Sequence, residues 1–129
     1  MKLYKNLLRA NLASFIILMS FPAIWSRVYS QDIVDALNLN GKGGVFDLNG
    51  PMPLIIAVTY FVSILGLFNL KAWARHVYLA LLIAIGVVTP FFGISVQGYY
   101  EAIFGYFFGI SCGAILTLSY FSSVSKQFK

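Results

Sequence analysis

Apolar residues run through most of this chain without the alternation of a half-exposed strand or the single apolar face of a surface helix. The pattern is set by where charges interrupt it. Four charge-free stretches result: Ala10 to Ser26, Leu48 to Leu70, His76 to Tyr100 and Ala102 to Ser125. The last three are 23 to 25 residues long, enough helix to cross a hydrocarbon core of about 30 Å with some tilt. The first is 17 residues, extended by Leu7 and Leu8, with Arg9 snorkelling to the headgroups. The pattern predicts an all-α membrane protein, a four-transmembrane-helix bundle in one integral membrane domain over residues 1–129. Its helices are expected at about 4–25, 53–70, 77–92 and 99–122.

Between helices 1 and 2 lies the only sizeable extramembrane segment, Ser26 to Met52. Ile33, Val34 and Leu37 share one helical face there, which predicts a short amphipathic helix over Asp32 to Leu39 lying on the bilayer surface, capped by Ser30 or Asp32. Asn40-Gly41-Lys42-Gly43-Gly44 reads as turn material, and Asn49-Gly50-Pro51 as the stop before helix 2. Pro22 and Thr89-Pro90 fall near helix ends, where a freed carbonyl is readily satisfied. The segment Lys71 to His76 reads as a very short loop that forces helices 2 and 3 into an antiparallel hairpin. Val28-Tyr29-Ser30 imitates a signal-peptidase site, but Arg27 and the bulky Trp25 crowd it, so an uncleaved first helix is expected.

Composition agrees: 60% of residues are hydrophobic and 10% charged, against about a quarter charged in soluble domains. The net charge of +5 would suit nucleic acid in a soluble protein; its distribution points instead to the lipid bilayer. Lys2, Lys5, Arg9, Lys71, Arg75, Lys126 and Lys129 occupy the N-terminus, the 2–3 loop and the C-terminus. All four acidic residues, Asp32, Asp35, Asp47 and Glu101, occupy the other two loops, beside Arg27 and Lys42. Basic loops stay cytoplasmic, which predicts a multi-pass protein of the bacterial inner (cytoplasmic) membrane with both termini cytoplasmic. Tyr4, Trp73, Tyr78 and Tyr120 would form an inner aromatic belt, and Trp25, Tyr29, Tyr99 and Tyr100 an outer one. Trp73, Arg75 and His76 are the expected anchors at the inner interface.

The most specific motif is Gly105-x-x-x-Gly109-x-x-x-Gly113, continued by Thr117. Spacing of four puts these residues in one groove where another backbone approaches closely. The simplest expectation is docking of helix 2 or 3 of the same chain, with Ala80 and Ala84 as a matching small face. A partner protein or second copy is the alternative. On either reading, Gly109→Leu inserts normally and disrupts packing.

Candidate chemistry is thin. Glu101 falls in the first turn of helix 4, where the helix dipole favours an anion. His76 and Cys112 are single, whereas a metal site needs three or four ligands; neither metal nor cofactor is expected. The lone His is far from the acids, so no Ser-His-Asp set assembles, and Gly41-Lys42-Gly43-Gly44 lacks the spacing of a phosphate loop. Helix 1 carries no acidic residue, unlike the four-helix small multidrug exporters. Tyr60, Ser63, Tyr106, Ser111 and Thr117 are too mild to line a convincing solute path.

The stretch Leu70-Lys71-Ala72-Trp73-Ala74-Arg75-His76-Val77-Tyr78 resembles the Trp-Ala-Arg inner loop of a loose group of uncharacterised four-helix bacterial inner-membrane proteins. Tyr120-Phe121-Ser122 and Phe128 resemble the tail of the same group. In size and helix number the chain is similar to small membrane immunity proteins that act against pore-forming toxins; that likeness is of architecture. Four spans with no catalytic set, no buried acid and one outer loop that carries three of the four acidic residues point to a non-enzymatic interaction protein, with a protein partner in the membrane met first by Asp32, Asp35, Asp47 and Glu101. An immunity protein against a membrane-depolarising toxin is the most concrete form. An accessory subunit of a larger membrane complex, or a small channel or lipid carrier, is the alternative.

Overall fold

The computed structural model describes residues 1–129 and is helical throughout. Helix α1 spans Lys2–Val28, α2 Gln31–Leu37, α3 Pro51–Phe68, α4 Ala72–Val88 and α5 Tyr99–Phe121. A 3-10 turn at Thr89–Phe92 extends α4, and another at Ser123–Gln127 follows α5. Four of these, α1, α3, α4 with its 3-10 turn, and α5, are long and apolar enough to cross a membrane. The chain is a multi-pass helical membrane protein.

Element boundaries depart from the expected ones where backbone chemistry overrides the hydropathy pattern. α1 begins at Lys2 and runs through Pro22 to Val28, so its first turns hold Lys2 and Lys5 as well as apolar residues. α3 starts at Pro51, with no N–H lost from the ladder in a first turn. It ends early because Leu70 adopts a left-handed φ of 54°. The Lys71 N–H then donates to the Gly66 carbonyl at 3.0 Å and the Leu70 N–H to Leu67 at 3.1 Å, which closes the helix in a Schellman arrangement. α4 restarts at Ala72. The expected loop Lys71–His76 is therefore mostly the first turns of α4, and helix 3 begins five residues before 77. The amphipathic α2 lies at 31–37, with Ser30 in the cap position but no side-chain cap bond.

The four long helices form two antiparallel pairs, α1 with α5 and α3 with α4, closed on a shared core. Tyr4, Leu8 and Phe15 of α1 meet Tyr60, Ile64 and Leu67 of α3, Ala74, Tyr78 and Leu81 of α4, and Cys112 and Ile115 of α5. Phe15 stacks on Tyr60 with ring centroids 4.2 Å apart. α3 and α4 approach at Gly66, where a Cβ would lie 2.5 Å from the Ala74 Cβ. Only 22 of 129 residues are buried within the chain, so most apolar side chains point outward. A water-soluble fold of this size could not tolerate that; lipid solvates it.

Both chain termini lie at one end. The Tyr4 hydroxyl bonds Ser119 there, and its ring packs edge-on against Phe128. The Ala72 N–H donates to the Lys129 carbonyl at 2.8 Å, and the Lys129 N–H donates to Leu70 at 2.9 Å. This end carries the seven basic residues of the termini and the α3–α4 turn, and no acid. The opposite end carries α2, the long loop, the 89–98 turn and all four acids. Its two loops are joined backbone to backbone: Gly41 N–H to the Ile94 carbonyl at 2.8 Å, Ile94 N–H to Lys42 at 3.0 Å, and Val45 N–H to Phe91 at 2.7 Å. Gly93 is required there, because its φ is +86° and a Cβ would strike the Lys42 carbonyl and Gly44.

Candidate functional site

Asn11 is the centre of the bundle. It lies between two and three turns inside α1, completely buried, and its carboxamide touches all three other long helices. Tyr60 of α3 donates its hydroxyl to Asn11 Oδ1 at 2.6 Å, and Tyr78 of α4 does so at 3.4 Å. On the other side Nδ2 faces α5, with Ser111 Oγ at 2.6 Å, Cys112 Sγ at 3.3 Å and the Phe108 carbonyl at 3.3 Å. The Phe108 carbonyl can only accept, which orients the amide with its NH2 toward α5. Ser111 in turn donates to the Phe108 carbonyl at 2.8 Å. Nearer the basic end, Ser119 donates to Ile115 at 2.7 Å, so the single proton left for the 2.9 Å Tyr4–Ser119 contact is the phenol's.

This knot is glue. In hydrocarbon a buried polar atom without a partner is costly, so an amide that satisfies four helices at once specifies their arrangement. Its donors and acceptors are spent on one another. Sequence reasoning passed over Asn11 and placed Tyr4 and Tyr78 in an interfacial belt, whereas both are fully buried. Cys112 packs in the core and also accepts from Asn11. The residues considered for a solute path are divided: Tyr60, Ser63 and Ser111 are buried and bonded internally, while Tyr106 and Thr117 face outward.

The glycine series lies on the other side of α5. A Cβ added at Gly105, Gly109 or Gly113 meets nothing within 4 Å, and Thr117 is exposed, its hydroxyl turned back to the Gly113 carbonyl. Intrachain docking of α3 or α4 in this groove is thus overturned. Ala80 and Ala84 are exposed on α4 and provide no counterpart. α5 packs instead through Ser111, Cys112, Ile115 and Ser119. Nothing else in the chain covers the glycine series.

At the acidic end Asp32, Asp35 and Asp47 are exposed. Asp35 accepts from Gln31, and Asp47 accepts from the Asn49 N–H in a local turn. Glu101 differs from them. It is half-buried, Oε1 takes the Trp25 indole N–H at 2.9 Å, and Oε2 takes the Gly98 N–H at 2.9 Å. It caps α5 and pins α1 to it, so it is not a free contact for a partner. Tyr29 packs over Gly98 and against Tyr99 and Tyr100; burial pushes its phenol pKa above the ordinary value.

At the basic end Trp73 and His76 are exposed. Arg75 is half-buried and turned inward: its guanidinium lies over the rings of Tyr120 at 5.1 Å and Phe128 at 5.5 Å. The Trp-Ala-Arg stretch therefore couples α4 to the end of α5 and to the C-terminal turn.

Comparison of the chain with family models, with curated proteins and with solved structures finds no match. The resemblance at Leu70 to Tyr78 rests on those residues alone.

Proposed function

We propose that this chain is a non-enzymatic interaction protein of the bacterial inner membrane, with both termini cytoplasmic, that holds a transmembrane helix of another protein on the outward face of α5. The observation that carries the reading is the open groove at Gly105, Gly109 and Gly113. Small residues at this spacing let two backbones approach closely in lipid, and no helix of the chain itself takes up the offer. The polar knot supports a binding role, because it makes a rigid scaffold whose own polar groups are consumed. The basic end supports cytoplasmic termini.

In its most concrete form the partner is an inserting toxin, and the protein is an immunity factor that holds a toxin helix laterally before a pore opens. Asp32, Asp35 and Asp47, exposed on the opposite end, would attract a cationic partner in a salt-sensitive encounter. The second reading, an accessory subunit of a resident complex, uses the same groove. A photocrosslinking residue at Ile110, beside the groove, tests the shared claim. It should capture one protein in cells, a capture lost in Gly109→Leu, while the same probe at Ile83 of α4 captures none. A deletion strain newly sensitive to a membrane-depolarising toxin supports immunity, and a resident complex that falls apart supports the accessory role. No specific adduct at Ile110 would remove both.

A further inference from the structure

Arg75 is a cation without a counter-ion. Its end of the bundle holds seven basic residues and no acidic side chain, and the four side-chain carboxylates lie at the other end. Nη1 makes one long bond of 3.5 Å to the Ser119 carbonyl, and Nε is buried with no partner. Five N–H donors are thus served by little more than two aromatic faces and the negative end of α5. Withdrawing a guanidinium from water is unfavourable unless an anion meets it. The Tyr120 hydroxyl beside it is likewise buried and unpartnered.

A groove on the outside of the bundle shares Tyr120 with this cluster. Leu79 follows Arg75 by one turn of α4, and with Leu116, Thr117, Tyr120 and Phe121 of α5 it lines an open, almost wholly apolar trough of about 280 Å³. His76 lies beside the trough, its ring edge-on to Tyr120 at 6.0 Å. Its Nδ1–H donates to the Ala72 carbonyl at 2.9 Å, so Nε2 of the neutral ring can only accept.

We infer that this trough binds a phospholipid with an anionic headgroup, one acyl chain lying between α4 and α5 and the phosphate meeting the Arg75 guanidinium. A headgroup at this depth supplies the negative charge that no side chain at this end carries, and a basic pocket between transmembrane helices is suited to it. The site depends on the chain lying in a bilayer, and not on the identity of its protein partner.

The full chain, purified in neutral detergent and stripped of lipid, is melted with added phosphatidylglycerol, phosphatidylcholine or inorganic phosphate at matched concentrations. Phosphatidylglycerol should raise the melting temperature by several degrees, through binding to the folded state, and the other two should not. Arg75→Gln should abolish the gain. Because that change also removes the guanidinium from the Tyr120 and Phe128 rings, Leu79→Trp serves as a second variant that fills the trough while leaving the guanidinium in place; it too should lose the response. An equal gain from phosphatidylcholine would reduce the site to an apolar groove, and a gain from inorganic phosphate would make it a simple anion site. Either result overturns the proposal, as does a phosphatidylglycerol response that survives in both variants.

Discussion

Helix α5 has two faces built from small residues, and they do opposite things. One carries Ser111, Cys112, Ile115 and Ser119, is buried, and meets Asn11 and Tyr4 of α1. The other carries Gly105, Gly109, Gly113 and Thr117 and meets nothing of this chain. Small size lets a neighbour come close, but in lipid it supplies no reason for a particular neighbour to do so. The buried face has hydrogen-bond donors and acceptors that would be orphaned in hydrocarbon, and that obligation selects α1 as its partner. The glycine face carries no such obligation, so its neighbour has to come from outside or be lipid.

The contrast can be broken first at its centre. Asn11→Ala leaves the Tyr60 hydroxyl without its acceptor and Ser111 with only the Phe108 carbonyl, and should destabilise the bundle by about 2–4 kcal/mol, read from the unfolding midpoint in mixed micelles. A double-mutant cycle with Tyr60→Phe should return a coupling of roughly 0.6–2 kcal/mol; additive losses would mean that the two groups do not act on each other. Gly66→Ala sharpens the comparison from a third place, since its Cβ would meet Ala74 at 2.5 Å. It should cost about 1–3 kcal/mol by overpacking, whereas Gly113→Ala on the open face should cost nothing measurable. Glu101→Gln keeps the shape and removes the charge, so the loss should be about 1 kcal/mol. A shift in tryptophan emission, as Trp25 loses its carboxylate, checks it.

The four spans were legible because a charge in hydrocarbon is expensive and its avoidance leaves long uninterrupted stretches. The segregation of seven basic residues was legible for the same reason, and the structure gathers them at one end. Asn11 was not. It was passed over, because the groups that converge on it, Tyr60, Tyr78 and Ser111, come from three other helices. Boundaries near Leu70 were misread because a left-handed leucine ends α3 by backbone geometry that hydropathy cannot register. Tyr4 and Tyr78 were assigned to a belt by their residue type, although a phenol with a buried partner is equally at home inside. Glu101 was read correctly as a helix cap, and its bond to Trp25, from a residue 76 positions away, could not be seen in a linear pattern. The glycine series was found at once and its role inverted, since spacing reports a groove and not its occupant.

The central claim, that α5 holds the bundle with one face and offers the other, is tested most directly by measuring the unfolding free energies of Ser111→Leu and Gly109→Leu side by side in the purified chain. The two positions lie two residues apart on α5 and gain the same side chain. Ser111→Leu should lose several kcal/mol, by overpacking and by stranding the Asn11 amide. Gly109→Leu should stay within about 0.5 kcal/mol of the parent, or gain slightly from its better helix propensity. A severe loss at Gly109 together with a mild one at Ser111 would contradict the account and return the glycine groove to the interior of the bundle.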